Sequence, residues 1–206
     1  MSTIMSKAVM ISIQPKWCEL IASGKKTVEI RKTKPKLETP FKCYIYCTKS
    51  TDMLWILNKK ERAQFAPKIA DIFKAKDAGG ATNVNGKIIG EFVCDKVESI
   101  DVPYPAYSDK LDKRIIEQSQ VPYYALHKYA YHDTIYGWHI SDLVIYDKPK
   151  ELSEFIKPCI YGDDGEGDYS CYMCEKSGFT PDLHIDCFNT LTRPPQSWCY
   201  VEQLRE

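Results

Sequence analysis

Six short runs rich in β-branched and aromatic residues, at 9–13, 27–31, 41–47, 87–100, 136–146 and 197–202, constrain this chain most. Few helices lie between them. One is opened by Pro15, carries Trp17, Leu20 and Ile21 on one face, and meets Gly24 as a stop; another is expected at 122–131. A parallel βαβ sheet would need a crossover helix between strands, and there are too few. The pattern predicts an α+β fold, a small mixed β-barrel with flanking helices. Residues 49–86 read as a helical insertion: Leu54 and Leu57, then Phe65, Ile69 and Phe73, recur at helical spacing, with Pro67 as a boundary. At 206 residues the chain suits a single domain over 1–206 with a core of its own. Its apolar runs fall far short of the roughly 20 residues of a membrane span. Residues 1–7 show no secretory signal, so a cytoplasmic protein is expected.

Lys+Arg and Asp+Glu are equal at 28 each, but they are unevenly placed. Residues 1–50 hold ten basic and three acidic side chains, whereas 151–206 hold four and eleven. A basic N-terminal third attracts phosphates, and an acidic tail repels them or docks against the basic region. No Gly-rich phosphate loop is present, which argues against P-loop nucleotide chemistry.

The densest chemical signal is Gly24-Lys25-Lys26-Thr27-Val28-Glu29-Ile30-Arg31. The glycine ends the helix, and strand alternation puts Thr27, Glu29 and Arg31 on one face with Val28 and Ile30 directed into the barrel core. Lys26 sits at the turn, free to lean over the polar face. A lysine, a carboxylate and a guanidinium so close together can bind and polarise a planar polar ligand such as a nucleobase. The plain alternative is an exposed Glu–Arg pair, which contributes little.

With Ile11-Ser12-Ile13-Gln14-Pro15-Lys16-Trp17 before it, the Gly24-x-Lys26-x-x-Glu29-x-Arg31 element resembles the ASCH domain, a PUA-like β-barrel family, in its bacterial and bacteriophage form. Gly90-Glu91-Phe92, Gly137-Trp138-His139-Ile140-Ser141-Asp142-Leu143 and Pro194-Pro195-Gln196-Ser197-Trp198-Cys199-Tyr200-Val201-Glu202 extend the resemblance, which omits 49–86. The resemblance implies a cleft beside the barrel for RNA or a modified nucleoside. One branch of the family hydrolyses N4-acetylcytidine with a lysine, a threonine three positions later and a glutamate on a later strand. Lys26 matches that lysine and Glu91 that glutamate, but the threonine position holds Glu29.

Glu91 also stands among Ile89, Phe92 and Val93, where desolvation would raise its pKa towards that of a general base. The residues expected to carry catalysis are therefore Lys26, Glu29 and Glu91. Lys25, Lys26, Thr27 and Arg31 are expected to contact the nucleic acid or nucleoside. Trp138 would add a stacking platform and His139 a base-edge hydrogen bond. A core tryptophan is an equally common role for Trp138. Three functions fit these residues: RNA or nucleoside binding, hydrolysis of an acylated nucleoside or of RNA, and protein interaction through the acidic loop at 159–190.

Cys18, Cys43, Cys47, Cys94 and Cys199 sit singly among apolar residues and read as reduced, buried side chains. Cys171-x2-Cys174-x9-His184-x2-Cys187 instead provides two close donor pairs able to surround one tetrahedral Zn2+, with Cys159 a substitute should His184 not bind. Asp163, Asp164, Glu166 and Asp168 precede it, and metal binding would supply folding energy that so polar a segment lacks. Four protein donors leave no open position, so such a zinc is structural. Elemental analysis of purified protein is expected to give about one zinc per chain. Metal-free protein in which all four side chains react freely would exclude the site.

Overall fold

The computed structural model describes residues 7–51, 54–57, 81–158 and 190–204. The middle of the insertion, with Phe65, Ile69 and Phe73, lies outside them, as do Cys159, Cys171, Cys174, His184 and Cys187. The strands are β1 (Lys7–Ile13), β2 (Val28–Arg31), β3 (Phe41–Cys47), β4 (Trp55–Leu57), β5 (Ala81–Asn83), β6 (Ile88–Ile100), β7 (Ile135–Lys150) and β8 (Trp198–Glu202). Among the described residues three α-helices accompany them: α1 (Pro15–Ala22), α2 (Lys113–Ser119) and α3 (Tyr123–Ala130). Short 3₁₀ turns cover Pro105–Lys110 and Leu152–Glu154. At the start of the insertion Trp55–Leu57 is a strand rather than the expected helix, and it pairs antiparallel with Ala81–Asn83.

The fold is mixed α+β, and the expected closed barrel is corrected to an open six-stranded sheet in the order β2-β7-β6-β3-β1-β8. Only β1 and β3 run parallel. The sheet still curls, because side chains rather than a backbone ladder tie its two edge strands. Arg31 at the end of β2 donates to Ser197 Oγ at 3.3 Å, just before β8. Trp198 Nε1 donates to Thr33 Oγ1 at 3.0 Å, and Tyr200 OH accepts from the Lys36 amide at 2.8 Å.

Strand alternation sorts the apolar residues into separate cores. Val9, Ile11 and Ile13 of β1 pack with Cys43, Ile45 and Cys47 of β3, and with Phe92 and Trp138, inside the curl. Ala8, Met10, Tyr44 and Tyr46 face the other way, under Phe155 and Leu191. Val28 and Ile30 join Ile100, Leu126 and Ile135 beneath α2 and α3. That reverses the expected sidedness of β2. Its apolar residues meet the helices, while Glu29 and Arg31 share the face of their cross-strand partners Trp138 and Tyr136. All four β2 residues are buried, so a layer lies on each side of this strand.

Gly90 marks a close approach of β6 and β7, since a Cβ there would lie 2.3 Å from the Val144 carbonyl oxygen. Its neighbour Glu91 is in register with Tyr44 and lies on the face away from Phe92. Lys42 Nζ donates to Glu91 Oε1 at 2.8 Å, and the Tyr146 hydroxyl donates to Oε2. The expectation of a raised pKa is corrected: burial does push the carboxyl up, but hydrogen bonds from Lys42 and Tyr146 outweigh it and lower the pKa. A carboxylate depressed in the fold stabilises at neutral pH, and that contribution is lost as pH falls through its folded pKa. Glu91→Gln is therefore expected to cost about 1–2 kcal/mol in urea unfolding at pH 7, and distinctly less at about pH 3. An equal cost at both pH values would contradict this assignment.

Candidate functional site

The turn after α1 builds the site. Gly24 takes φ +74°, a conformation that favours glycine, and the Lys26 amide donates back to Leu20 O at 2.9 Å. The chain then enters β2, and the Lys26 side chain is folded under α1 with only 2% exposure. Its ammonium donates to Val28 O at 2.9 Å and to Ser119 O at 2.7 Å. Ser119 is the last residue of α2, where the negative end of the helix dipole favours a cation. Nζ also lies 3.3 Å from Glu29 Oε2 and 5.2 Å from the centre of the Trp17 ring. Burial lowers the Lys26 pKa, partly countered by Glu29.

Glu29 is 6% exposed and stands between two cations. Its second oxygen, Oε1, lies 3.0 Å from Arg31 Nη2. Arg31 spreads its charge further by donating from Nη2 to Ser12 O at 2.7 Å. The Arg31 Nε–H is buried with no partner among the described residues. The sequence element is thus a continuous buried charge chain, Lys26–Glu29–Arg31, rather than an exposed pair.

This chain lines a cleft of about 520 Å³. The far walls are Gln14 at the β1–α1 junction, Trp17 of α1, Ala125 and Tyr129 of α3, and Gln196 and Ser197 before β8. Tyr129 is 39% exposed, and burial of the rest of its ring raises its pKa. Lys32 Nζ stands 5.4 Å from the centre of that ring. The result is a polar floor with an aromatic residue on each of two helices.

Of the residues expected at the site, Lys26, Glu29 and Arg31 come together. Lys25 and Thr27 are exposed and outside the lining, because β2 begins at Val28 and Thr27 belongs to the preceding turn. Trp138 is fully buried in the core, 5.8 Å from Phe41 and 5.9 Å from Trp198 between ring centres, so it is no stacking platform. His139 Nε2 is 2.8 Å from Glu98 Oε1, away from the cleft, and Glu91 is on the outer face. Sequence reasoning missed Trp17 and Tyr129 as lining. The available signals were Pro15-x-Trp17 at a helix start and the i, i+4 pair Ala125 and Tyr129 on one face of α3. Among the described residues no cluster of three His, Cys, Asp or Glu could hold a metal.

A sequence profile of the ASCH domain matches residues 11–131. No curated protein matches the chain. Among solved structures it is similar to two mutant forms of ZmASCH from Zymomonas mobilis. One gives a TM-score of 0.51 at 16% identity, covering 98% of this chain and 92% of that one. The other gives 0.50 at 16% identity, with coverage of 97% and 89%. At that identity the likeness speaks to the fold alone. The profile spans more than half of the sequence and includes the helix, turn and strand that build the charge chain, so this protein belongs to the ASCH domain family.

Proposed function

We propose that the cleft binds a nucleobase, carried by RNA or by a free modified nucleoside. The observation that carries this reading is Glu29. Each of its oxygens meets one cation, yet a carboxylate has about four acceptor directions, so acceptor capacity remains for the N–H groups of a base. Lys26 and Arg31 fix the carboxylate so that little order is lost on binding. Trp17 and Tyr129 supply apolar rings suited to a flat ligand. Two cations to one carboxylate also suit a ligand bearing phosphate, as do the exposed Lys25, Lys32, Lys34 and Lys36 nearby in sequence. Membership of the ASCH family, whose domains are thought to bind RNA, points the same way.

One observation favours hydrolysis instead, the lowered pKa of Lys26 in a cleft. Against it, the ammonium is already engaged by two carbonyls and Glu29, and Glu29 stands where the family's N4-acetylcytidine-hydrolysing branch has its threonine. At the far end of the chain, the spacing of Cys171, Cys174, His184 and Cys187 supports a structural zinc with no position left for a ligand.

The test measures binding of cytidine, N4-acetylcytidine and a short single-stranded RNA to the unmodified protein, Glu29→Gln and Trp17→Leu, each checked for folding by circular dichroism. Both variants are expected to weaken binding, Glu29→Gln by about tenfold or more, the effect of losing a charge-assisted hydrogen bond. No release of acetate from N4-acetylcytidine is expected. Unchanged affinity in two folded variants would remove the cleft as the binding site, and turnover abolished by Glu29→Gln at unchanged affinity would establish the enzyme reading.

A further inference from the structure

We infer that the outer face of α3 and the turn after it form a stacking shelf for single-stranded RNA that continues out of the cleft. This rests on the cleft reading above, and it assigns a role to exposed tyrosines beyond Tyr129, the one that the cleft uses. Five tyrosines are exposed among the described residues, and all fall between positions 104 and 131: Tyr104, Tyr107, Tyr124, Tyr129 and Tyr131. Tyr124 and Tyr131 are each 74% exposed. Exposed apolar rings gathered in one region, rather than scattered singly, mark a binding surface.

Two of them, Tyr104 and Tyr131, belong to one run of neighbouring rings with Tyr123, His127 and His132. From Tyr123 to His127 the centres are 5.9 Å apart, and from His127 to Tyr104 6.4 Å. Tyr104 to His132 is 5.2 Å, and His132 to Tyr131 is 5.5 Å. The helix connects them to the cleft. Ala125 and Tyr129 line it, Leu126 and Ala130 are buried, and the remaining arc of α3 carries Tyr124, His127 and Lys128. A strand leaving the cleft at Tyr129 therefore crosses that arc to reach Tyr131, His132 and Tyr104.

The turn supports this assignment independently. Tyr131 and His132 both adopt positive φ, +47° and +71°, where glycine or asparagine is usual. Two bulky aromatic residues in succession there are costly to fold, and such strain collects at ligand contacts. Cations accompany the rings, with Lys32 beside Tyr129, Lys110 Nζ 4.6 Å from the centre of Tyr107, and Lys128 exposed on α3. Aromatic rings interleaved with lysines suit sequence-tolerant stacking of successive bases along a phosphate backbone. A protein-docking patch would mix in aliphatic side chains, but Val144, outside this region, is the one large exposed aliphatic residue among the described positions.

The test compares a fluorescein-labelled single-stranded RNA of about ten nucleotides with cytidine as probes of the full chain. Tyr124→Ala/Tyr131→Ala is expected to weaken RNA binding about tenfold or more without altering cytidine affinity. Tyr124→Phe/Tyr131→Phe should retain RNA binding, because the ring and not the hydroxyl does the stacking. RNA affinity unchanged in the double alanine variant would overturn the shelf. Glu29→Gln, run alongside, separates the two readings. Loss of RNA binding in the alanine pair with none in Glu29→Gln keeps the shelf and rejects the cleft, and the reverse pattern rejects the shelf alone.

Discussion

Arg31 is the side chain on which the arrangement turns. It sits at the end of an edge strand and reaches across the open side of the sheet to Ser12 O and Ser197 Oγ, joining β2 to the β1–β8 edge. A guanidinium can do this because its donors are fixed in one plane and point in several directions. Burying it is costly unless a carboxylate stands beside it, and Glu29 supplies that at 3.0 Å. Glu29 also permits the burial of Lys26, whose other hydrogen-bond partners are the carbonyls of Val28 and Ser119. One carboxylate thus holds the turn after α1, the C-terminus of α2 and the closure of the curl in register.

The same interaction explains why a site exists at all. An apolar side chain in place of Glu29 or Arg31 would let the inner core continue to the mouth of the curl, leaving no polar floor. Instead the charge chain places polar side chains beside Trp17 at the margin of the inner core, and the cleft opens over it. Its walls come from chain segments far apart in sequence, because β8 returns to lie beside β1. The proposed binding and the structural closure therefore draw on the same residues. A ligand that accepts from Arg31 or donates to Glu29 also tightens the link between the sheet edges.

Much of this was legible in the residues. The strand at 41–47, the helix opened by Pro15 and ended near Gly24, and the helix at 122–131 follow from local periodicity and stop signals. Alternation along β2 correctly grouped Glu29 with Arg31. What alternation cannot show is which face meets which layer, and both faces of β2 are buried. The apolar pair consequently went to the helices and the charged pair to the inside of the curl. Glu91 failed for a related reason: its apolar neighbours implied desolvation, but its own side chain shares a face with Lys42 and Tyr146. Trp138 took the role of a core residue. Trp17 and Tyr129 were hidden because nothing local distinguishes a cleft aromatic from a packed one, and only the topology brings them to one opening.

The central claim is that Glu29 makes the burial of Lys26 tolerable, and a double-mutant cycle tests it most directly. Urea unfolding free energies would be measured for the unmodified protein, Glu29→Gln, Lys26→Met and the double variant. Breaking a buried pair by removing one member typically costs about 3–5 kcal/mol, because the other charge is left uncompensated. The double variant removes both charges, so its cost is expected to fall short of the summed single costs by at least about 1 kcal/mol. Costs that add to within about 0.5 kcal/mol would mean the two side chains are energetically independent, and would contradict the account.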